Sequence, residues 1–185
     1  KQTITQKVAG VGAHIQVVSF DNNNPYDLQP IEVSDSLLTQ LGSYEHVVAT
    51  APFITKPGML KTDTDFKGIV LKGTDYWDFF ARNIQEGALP AKPQEVLISR
   101  VTANRLELHV GDAIMGYFVD ESDVRARRFS ISGIYDTGFL QFDDLFVLTP
   151  LETARRLQSW DLNTYSGVEI LLDDIKNLNE TSDEI

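Results

Sequence analysis

Apolar residues recur along the chain with two periods, and the changes between them predict short strands and helices in alternation. Ala13–Phe20 reads as a strand with β-branched residues at Ile15, Val17 and Val18. Asp21-Asn22-Asn23-Asn24-Pro25-Tyr26-Asp27 then reads as a turn or loop. Ser34 is placed to cap a helix with Leu37, Leu38 and Leu41 on one face and Gly42 to end it. Val47–Thr55 and Gly68–Leu71 are the next predicted strands, separated by Lys56-Pro57-Gly58-Met59-Leu60. A second helix is expected from about Asp75 to Gln85, where Trp77, Phe80, Ala81 and Ile84 fall at helical spacing, with Gly87 ending it.

Leu89-Pro90-Ala91-Lys92-Pro93 reads as a linker, because two prolines so close hold the chain extended. Beyond it the pattern predicts a strand at Glu95–Ile98 and a short helix through Ala103 and Leu106, then Val110-Gly111-Asp112. Strands Ala113–Val119 and Val124–Ile134 form a hairpin over Asp120–Asp123, with Phe129 and Ile131 facing one way and Arg128 and Ser130 the other. Asp144–Leu148 is another predicted strand. In Thr149-Pro150-Leu151-Glu152, Thr149 can cap a helix, Pro150 suits its first position and Glu152 completes a capping box. That helix carries Leu151, Ala154 and Leu157 on one side, and Gly167–Leu172 supplies a last strand before a polar tail. Strands and helices mixed in this way predict an α+β or α/β fold with a β-rich insert in the middle.

Composition narrows the function classes. The 185 residues are 42% hydrophobic and 23% charged, enough for a core without staples, and there is no cysteine to form a disulfide or a thiolate metal site. Acidic residues outnumber basic ones 27 to 16, for a net charge of -11, which opposes nucleic-acid binding. No run approaches the ~18 consecutive apolar residues of a membrane-spanning helix. The polar ends, at Lys1 and Ile185, are expected to be cuts in a longer protein.

Motifs for catalysis or cofactor binding do not emerge. His14, His46 and His109 are scattered, without a second ligand at a useful spacing. Gly10-Val11-Gly12 precedes a strand, whereas a dinucleotide-binding glycine loop follows one and opens a helix. Asp21, Asn23, Asp27 and Glu32 have calcium-loop spacing, but Pro25 takes a ligand position and Tyr26 replaces the turn glycine. Asp143/Asp144 and Asp173/Asp174 are adjacent in sequence and so diverge in a strand, which disfavours acid–base pairing. The expectation is a non-enzymatic chain with no cofactor and no metal.

Two features stand out. Arg125, Arg127 and Arg128 form a basic cluster on an acidic chain, either paired with Asp120, Glu121 and Asp123 or offered as carboxylate-binding forks to an acidic partner. The Pro57-Gly58-Met59-Leu60 segment reads as a tip, with Met59 and Leu60 either in the core or exposed as an adaptable apolar contact.

Taken in order, Val96-Leu97-Ile98-Ser99-Arg100, Ala103-Asn104-Arg105-Leu106, Val110-Gly111-Asp112, Phe129–Tyr135, Leu145-Phe146-Val147-Leu148 and Leu151–Leu157 resemble the second half of the periplasmic core domain of MacB/LolC/LolE/FtsX-type ABC permeases. Ala13–Val17 and Gly68–Gly73 fit its first half, so the resemblance covers nearly the whole chain. It implies an α/β Porter-like subdomain at 8–90 and 145–180, discontinuous in sequence, and a β-rich Sabre-like subdomain inserted at 91–144. It also implies a domain between two membrane helices of an inner-membrane permease, facing the periplasm. The implied partners are a cytoplasmic ATP-binding subunit, a second permease subunit as homo- or heterodimer, and a lipoprotein, periplasmic carrier or adaptor. The LolC/LolE lipoprotein-releasing line is the nearest in its Val124–Ile134 strand and hairpin, and there the hairpin is a carrier-gripping hook with adjacent arginines. Here it is short and lacks the hook's prolines, so Arg125, Arg127 and Arg128 match in kind and general location alone. A reading from another class is a free-standing ligand- or glycan-binding module of the cell envelope using Tyr76, Trp77 and Trp160.

Overall fold

The structure is a computed structural model that describes residues 2–9, 12–19, 27–173 and 178–185. Its elements, in chain order, are β1 (Gln2–Ala9), β2 (Gly12–Ser19), β3 (Ile31–Glu32), α1 (Asp35–Gly42), β4 (Val47–Lys61), β5 (Phe66–Thr74), α2 (Asp78–Ala81) and β6 (Ile84–Gly87). They continue as β7 (Glu95–Ser99), α3 (Arg100–Leu106), β8 (Ala113–Val119), β9 (Val124–Tyr135), α4 (Leu140–Leu145) and β10 (Phe146–Pro150). Helix α5 (Leu151–Gln158), β11 (Thr164–Tyr165), β12 (Gly167–Leu172) and α6 (Leu178–Glu184) complete the chain. The result is a mixed, sheet-dominated α/β fold. Contacts divide it into two units, one of Lys1–Ile54 with Trp160–Ile185 and one of Thr55–Ser159. This division cuts the chain elsewhere than the 90/91 and 144/145 positions of the implied subdomains.

In the first unit β1, β2, β12 and the first half of β4 form an antiparallel sheet. Its core joins Ile15, Val17, Val168 and Ile170 from the strands to Leu41 of α1. Helix α1 begins as its sequence predicts: the Ser34 hydroxyl accepts the Leu37 N–H at 3.1 Å, satisfying one donor that a helix start leaves free. At the end of the sheet His46 holds a left-handed φ of 72°, and its carbonyl accepts the Asp173 N–H at 3.0 Å. Its Nδ1 also meets Asp173 Oδ2 at 3.2 Å. That hydrogen bond raises the imidazole's pKa, with further support from the charges of Asp173, Glu45 and Glu180 against a smaller opposing effect of desolvation.

The second unit is built on a mixed sheet in which β10 runs parallel to β5 and antiparallel to β7, and β7 runs parallel to β9. Both faces of its central strands are covered. Val96, Ile98 and Val147 face a core shared with Leu106 of α3 and Leu157 of α5, whereas Leu97 and Leu148 face Phe80 and Tyr135. This explains why Val96-Leu97-Ile98 and Phe146-Val147-Leu148 are apolar without interruption. A register shift between β7 and β9 pairs Val96 with Ile131 but Leu97 with Gly133. The extra residue lets Ile131 and Ile134 enter the same core while Tyr135 enters the other.

Four expectations fail. Lys56–Leu60 is no tip: β4 runs unbroken through it, and Gly58 lies so close to Phe118 that a Cβ would meet that ring at 2.4 Å. The helix expected over Asp75–Gln85 is a single turn, α2, and Ile84–Gly87 instead pairs with β9. The capping box at Thr149 does not form. Thr149 belongs to β10, its buried hydroxyl has no hydrogen-bond partner among the described residues, and Glu152 bonds Arg155 Nε at 3.1 Å. The strand expected from Asp144 begins at Phe146, after the helix α4. The loop at 21–26, and with it Asp21 and Asn23 of the calcium-spaced set, lies outside the described residues.

Two outcomes test these assignments. Leu60→Ala should cost about 2–5 kcal/mol in urea unfolding while Met59→Ala stays within about 0.5 kcal/mol, and equal small effects would return the segment to a tip. For His46 the folded pKa lies above the unfolded value, so its stabilisation is complete below the unfolded pKa of about 6.5 and is lost as pH rises through the folded one. His46→Gln should therefore lower the urea midpoint more at pH 5 than at pH 8, and a difference of opposite sign would contradict the assignment.

Candidate partner-docking surface

The hairpin of β8 and β9 carries the sequence-predicted arginines. Its register runs from Ala113↔Ser130 to Val119↔Val124, and the Asp120 N–H donates to the Asp123 carbonyl at 2.8 Å to close a tight turn. Strand β4 flanks β8, pairing Met59 with Tyr117 and Lys61 with Met115. Side chains directly opposite one another share a face, and successive ones alternate.

Alternation splits the arginine cluster. Arg125 and Arg127 leave β9 on the same side as buried Phe129 and Ile131, and Arg128 leaves on the other. Arg125 is committed to structure. Its Nη1 donates to the Leu157 carbonyl at 2.9 Å, the Ser159 hydroxyl at 2.9 Å and the Arg156 carbonyl at 3.4 Å, and Nη2 lies 3.5 Å from Asp120. These acceptors lie at the carboxyl end of α5, where the helix dipole favours a cation. Arg127 is exposed and, among the described residues, donates to the Ala126 carbonyl at 2.9 Å.

Met59 and Leu60 divide in the same manner. Leu60 is fully buried opposite Gly116 on the core side and leaves the candidate surface; Met59, 38% exposed, stays on it. On that outer face the structure sets Lys61, Met115 and Arg128 in one cross-strand row and Met59, Tyr117 and Ala126 in the next. Val119 and Val124, 70% and 56% exposed, form the last row at the hairpin tip. Sequence reading overlooked this face, although its signal was present: Met115, Tyr117 and Val119 alternate with Ile114, Gly116 and Phe118. The surface is an exposed apolar ladder with a cationic end, suited to a partner with an apolar contact edged by carboxylates.

The remaining candidates scatter. Asp143 is buried and accepts hydrogen bonds from Thr137 N and Oγ1, and burial still raises its pKa; Asp144 is exposed and pairs with Lys67 at 3.3 Å. Trp77 packs edge-on against Phe80, 6.2 Å between centroids, beside the second unit's core. His109 is exposed, 3.5 Å from Asp112.

The whole chain, residues 1–185, matches the family model described as MacB-like periplasmic core domain. The chain belongs to that family. The resemblance seen in the order of its motifs is thereby shown. Among solved structures, the periplasmic region of MacB from Actinobacillus actinomycetemcomitans is similar to this MacB-like domain at 15% identity and a TM-score of 0.61, over 94% of this chain and 82% of that one. The extracellular domain of the noncanonic ABC-type transporter YknZ from Gram-positive bacteria is similar at 14% identity and a TM-score of 0.59, over 91% and 88%. At such identities these likenesses show a shared fold. No curated protein matches the chain.

Arg125→Ala should destabilise this MacB-like domain by about 1–3 kcal/mol, because charged hydrogen bonds to the carbonyls at the end of α5 are lost, whereas Arg127→Ala and Arg128→Ala should stay within about 0.5 kcal/mol. Equal small losses in all three, measured by urea unfolding, would remove the helix-capping role.

Proposed function

We propose that this chain is the extracytoplasmic domain of an ABC-transporter permease, coupling cytoplasmic ATP hydrolysis to export or lipoprotein release by binding cargo or a periplasmic partner. The match of all 185 residues to the MacB-like periplasmic core domain carries the reading. The fold it shares with the periplasmic and extracellular domains of two transporters supports it. Among the described residues no helix is long and apolar enough to cross a membrane, so in this reading the membrane is reached through flanking helices. The domain faces the periplasm from the inner membrane, is itself non-catalytic, and works with a separate ATP-binding subunit and a second permease subunit. Residues 8–90 and 145–180 act as the Porter-like part and 91–144 as the Sabre-like part.

The mechanism is a population shift. Nucleotide state in the motor biases two arrangements of paired external domains, and the two present different contacts to cargo or partner. The outer face of the hairpin supplies the contact, with Met59, Tyr117, Val119 and Val124 as its apolar part and Arg128 as its basic part, and Arg127 adds a second exposed cation from the opposite side of the strand. Arg125 holds that face in place from behind.

Photoreactive residues at Val119 and Val124 of the full-length protein, crosslinked in envelopes with ATP or with the hydrolysis blocked, test the coupling and the surface together. Capture of a lipoprotein, carrier or adaptor in a nucleotide-dependent yield is expected, weakened at least about tenfold by Arg127→Glu with Arg128→Glu. Capture independent of nucleotide would reject coupling, and full capture by the well-folded double variant would reject the basic contact.

A further inference from the structure

A cleft of about 560 Å³ opens beside the cationic end of this face, a size within the roughly 300–1,000 Å³ of small-molecule sites. Its lining segregates charge by element. The strands supply Lys61 and Arg128, which flank Met115 in one row. Adjacent strands lie about 4.8 Å apart, so the two α-carbons stand about 10 Å apart and their long side chains can converge on one anion. The acids come from elsewhere: Asp63 from the turn after β4, and Glu107 and Asp112 from the segment after α3. Half-buried Met115 provides the apolar surface, and the buried Leu108 and Ile114 close the cleft from the core side.

The acidic side is fixed by bonds that leave most of its charges free. In the turn, Thr62 N–H donates to the Asp65 carbonyl at 2.9 Å and Thr62 Oγ1 accepts the Asp65 N–H at 3.0 Å, while Asp65 reaches Arg105 at 3.6 Å. In the segment after α3, Asp112 Oδ2 accepts the His109 N–H at 2.8 Å, and Gly111 and Asp112 exchange backbone bonds with Ile131. Glu107 ends α3 at a φ of +55°, a conformation that glycine takes freely and other residues take where their surroundings hold them. Among the described residues Lys61, Asp63, Glu107 and Arg128 make no ion pair.

A simple anion in this cleft meets three carboxylates, and a simple cation meets two cationic heads. A ligand with both charges, held apart by a short apolar length, satisfies both sets. We infer that the cleft binds a short dipolar peptide, its carboxylate between Lys61 and Arg128, its ammonium against Asp63 and Glu107, and an apolar side chain on Met115. Three residues at about 3.3–3.6 Å each place the two termini about 10 Å apart in an extended peptide. The inference rests on the cleft alone and stands or falls apart from the transporter reading.

The test is an amide-shift titration of the 15N-labelled chain with the tripeptide Ala-Leu-Ala and with its N-acetylated and C-amidated forms. The free tripeptide should shift the amides of Leu108, Ile114 and Met115 saturably, and each capped form should bind at least about tenfold more weakly. Lys61→Glu with Arg128→Glu, and separately Asp63→Lys with Glu107→Lys, should each abolish the shifts while the rest of the spectrum stays native. No saturable shift from the free tripeptide would overturn the proposal. So would equal binding of the capped forms, or retained binding by either folded double variant.

Discussion

Strand β9 obeys one constraint along its length: alternate side chains leave on opposite faces. Its first half pairs with β8 at the surface and its second half with β7 inside the second unit, so a surface hairpin and a core strand share one continuous backbone. The face that buries Phe129 and Ile131 therefore dictates where each arginine points. It sends Arg125 to the end of α5, leaves Arg128 beside Met115, and exposes the valines of the tip. A register shift at Gly133 then changes the phase, allowing the strand's last residues to serve two cores instead of one.

Much of the fold was legible in the sequence where local and tertiary demands agree. Ala113–Val119, Gly167–Leu172 and the Ser34-capped helix appear with the bounds that their periodicity or capping predicts. The failures are places where sheet pairing overrode local signals. Pro57-Gly58 looks like a turn, yet Pro57 falls between the stretch of β4 paired with β12 and the one paired with β8, and Gly58 clears space for Phe118. Trp77, Phe80 and Ile84 suit a helix, but Ile84 finds Tyr135 across a strand pair, and the helix stops after one turn. Thr149 carries a sound capping signal that its place in β10 prevents it from using.

The candidate surface was half legible for a related reason. Composition revealed a cluster of cations on an acidic chain, but only β-sheet register could show that the three arginines do not share one face and that Met59, rather than Leu60, is available for contact. Membership of the MacB-like family, by contrast, was visible in the order of segments. The two solved structures share the fold at 14% and 15% identity, so the fold is kept while most residues differ.

The hold of Arg125 on α5 distributes constraint unevenly between its two ends. Two of its three nearest acceptors are main-chain carbonyls, of Arg156 and Leu157, which every amino acid carries. The side chain at 156 can thus drift through evolution without loosening the attachment. Position 125 has no such freedom, because a planar fork reaching several acceptors at once is a property of arginine that lysine does not share. Sequence variation across the tether should consequently fall on the helix and spare the strand.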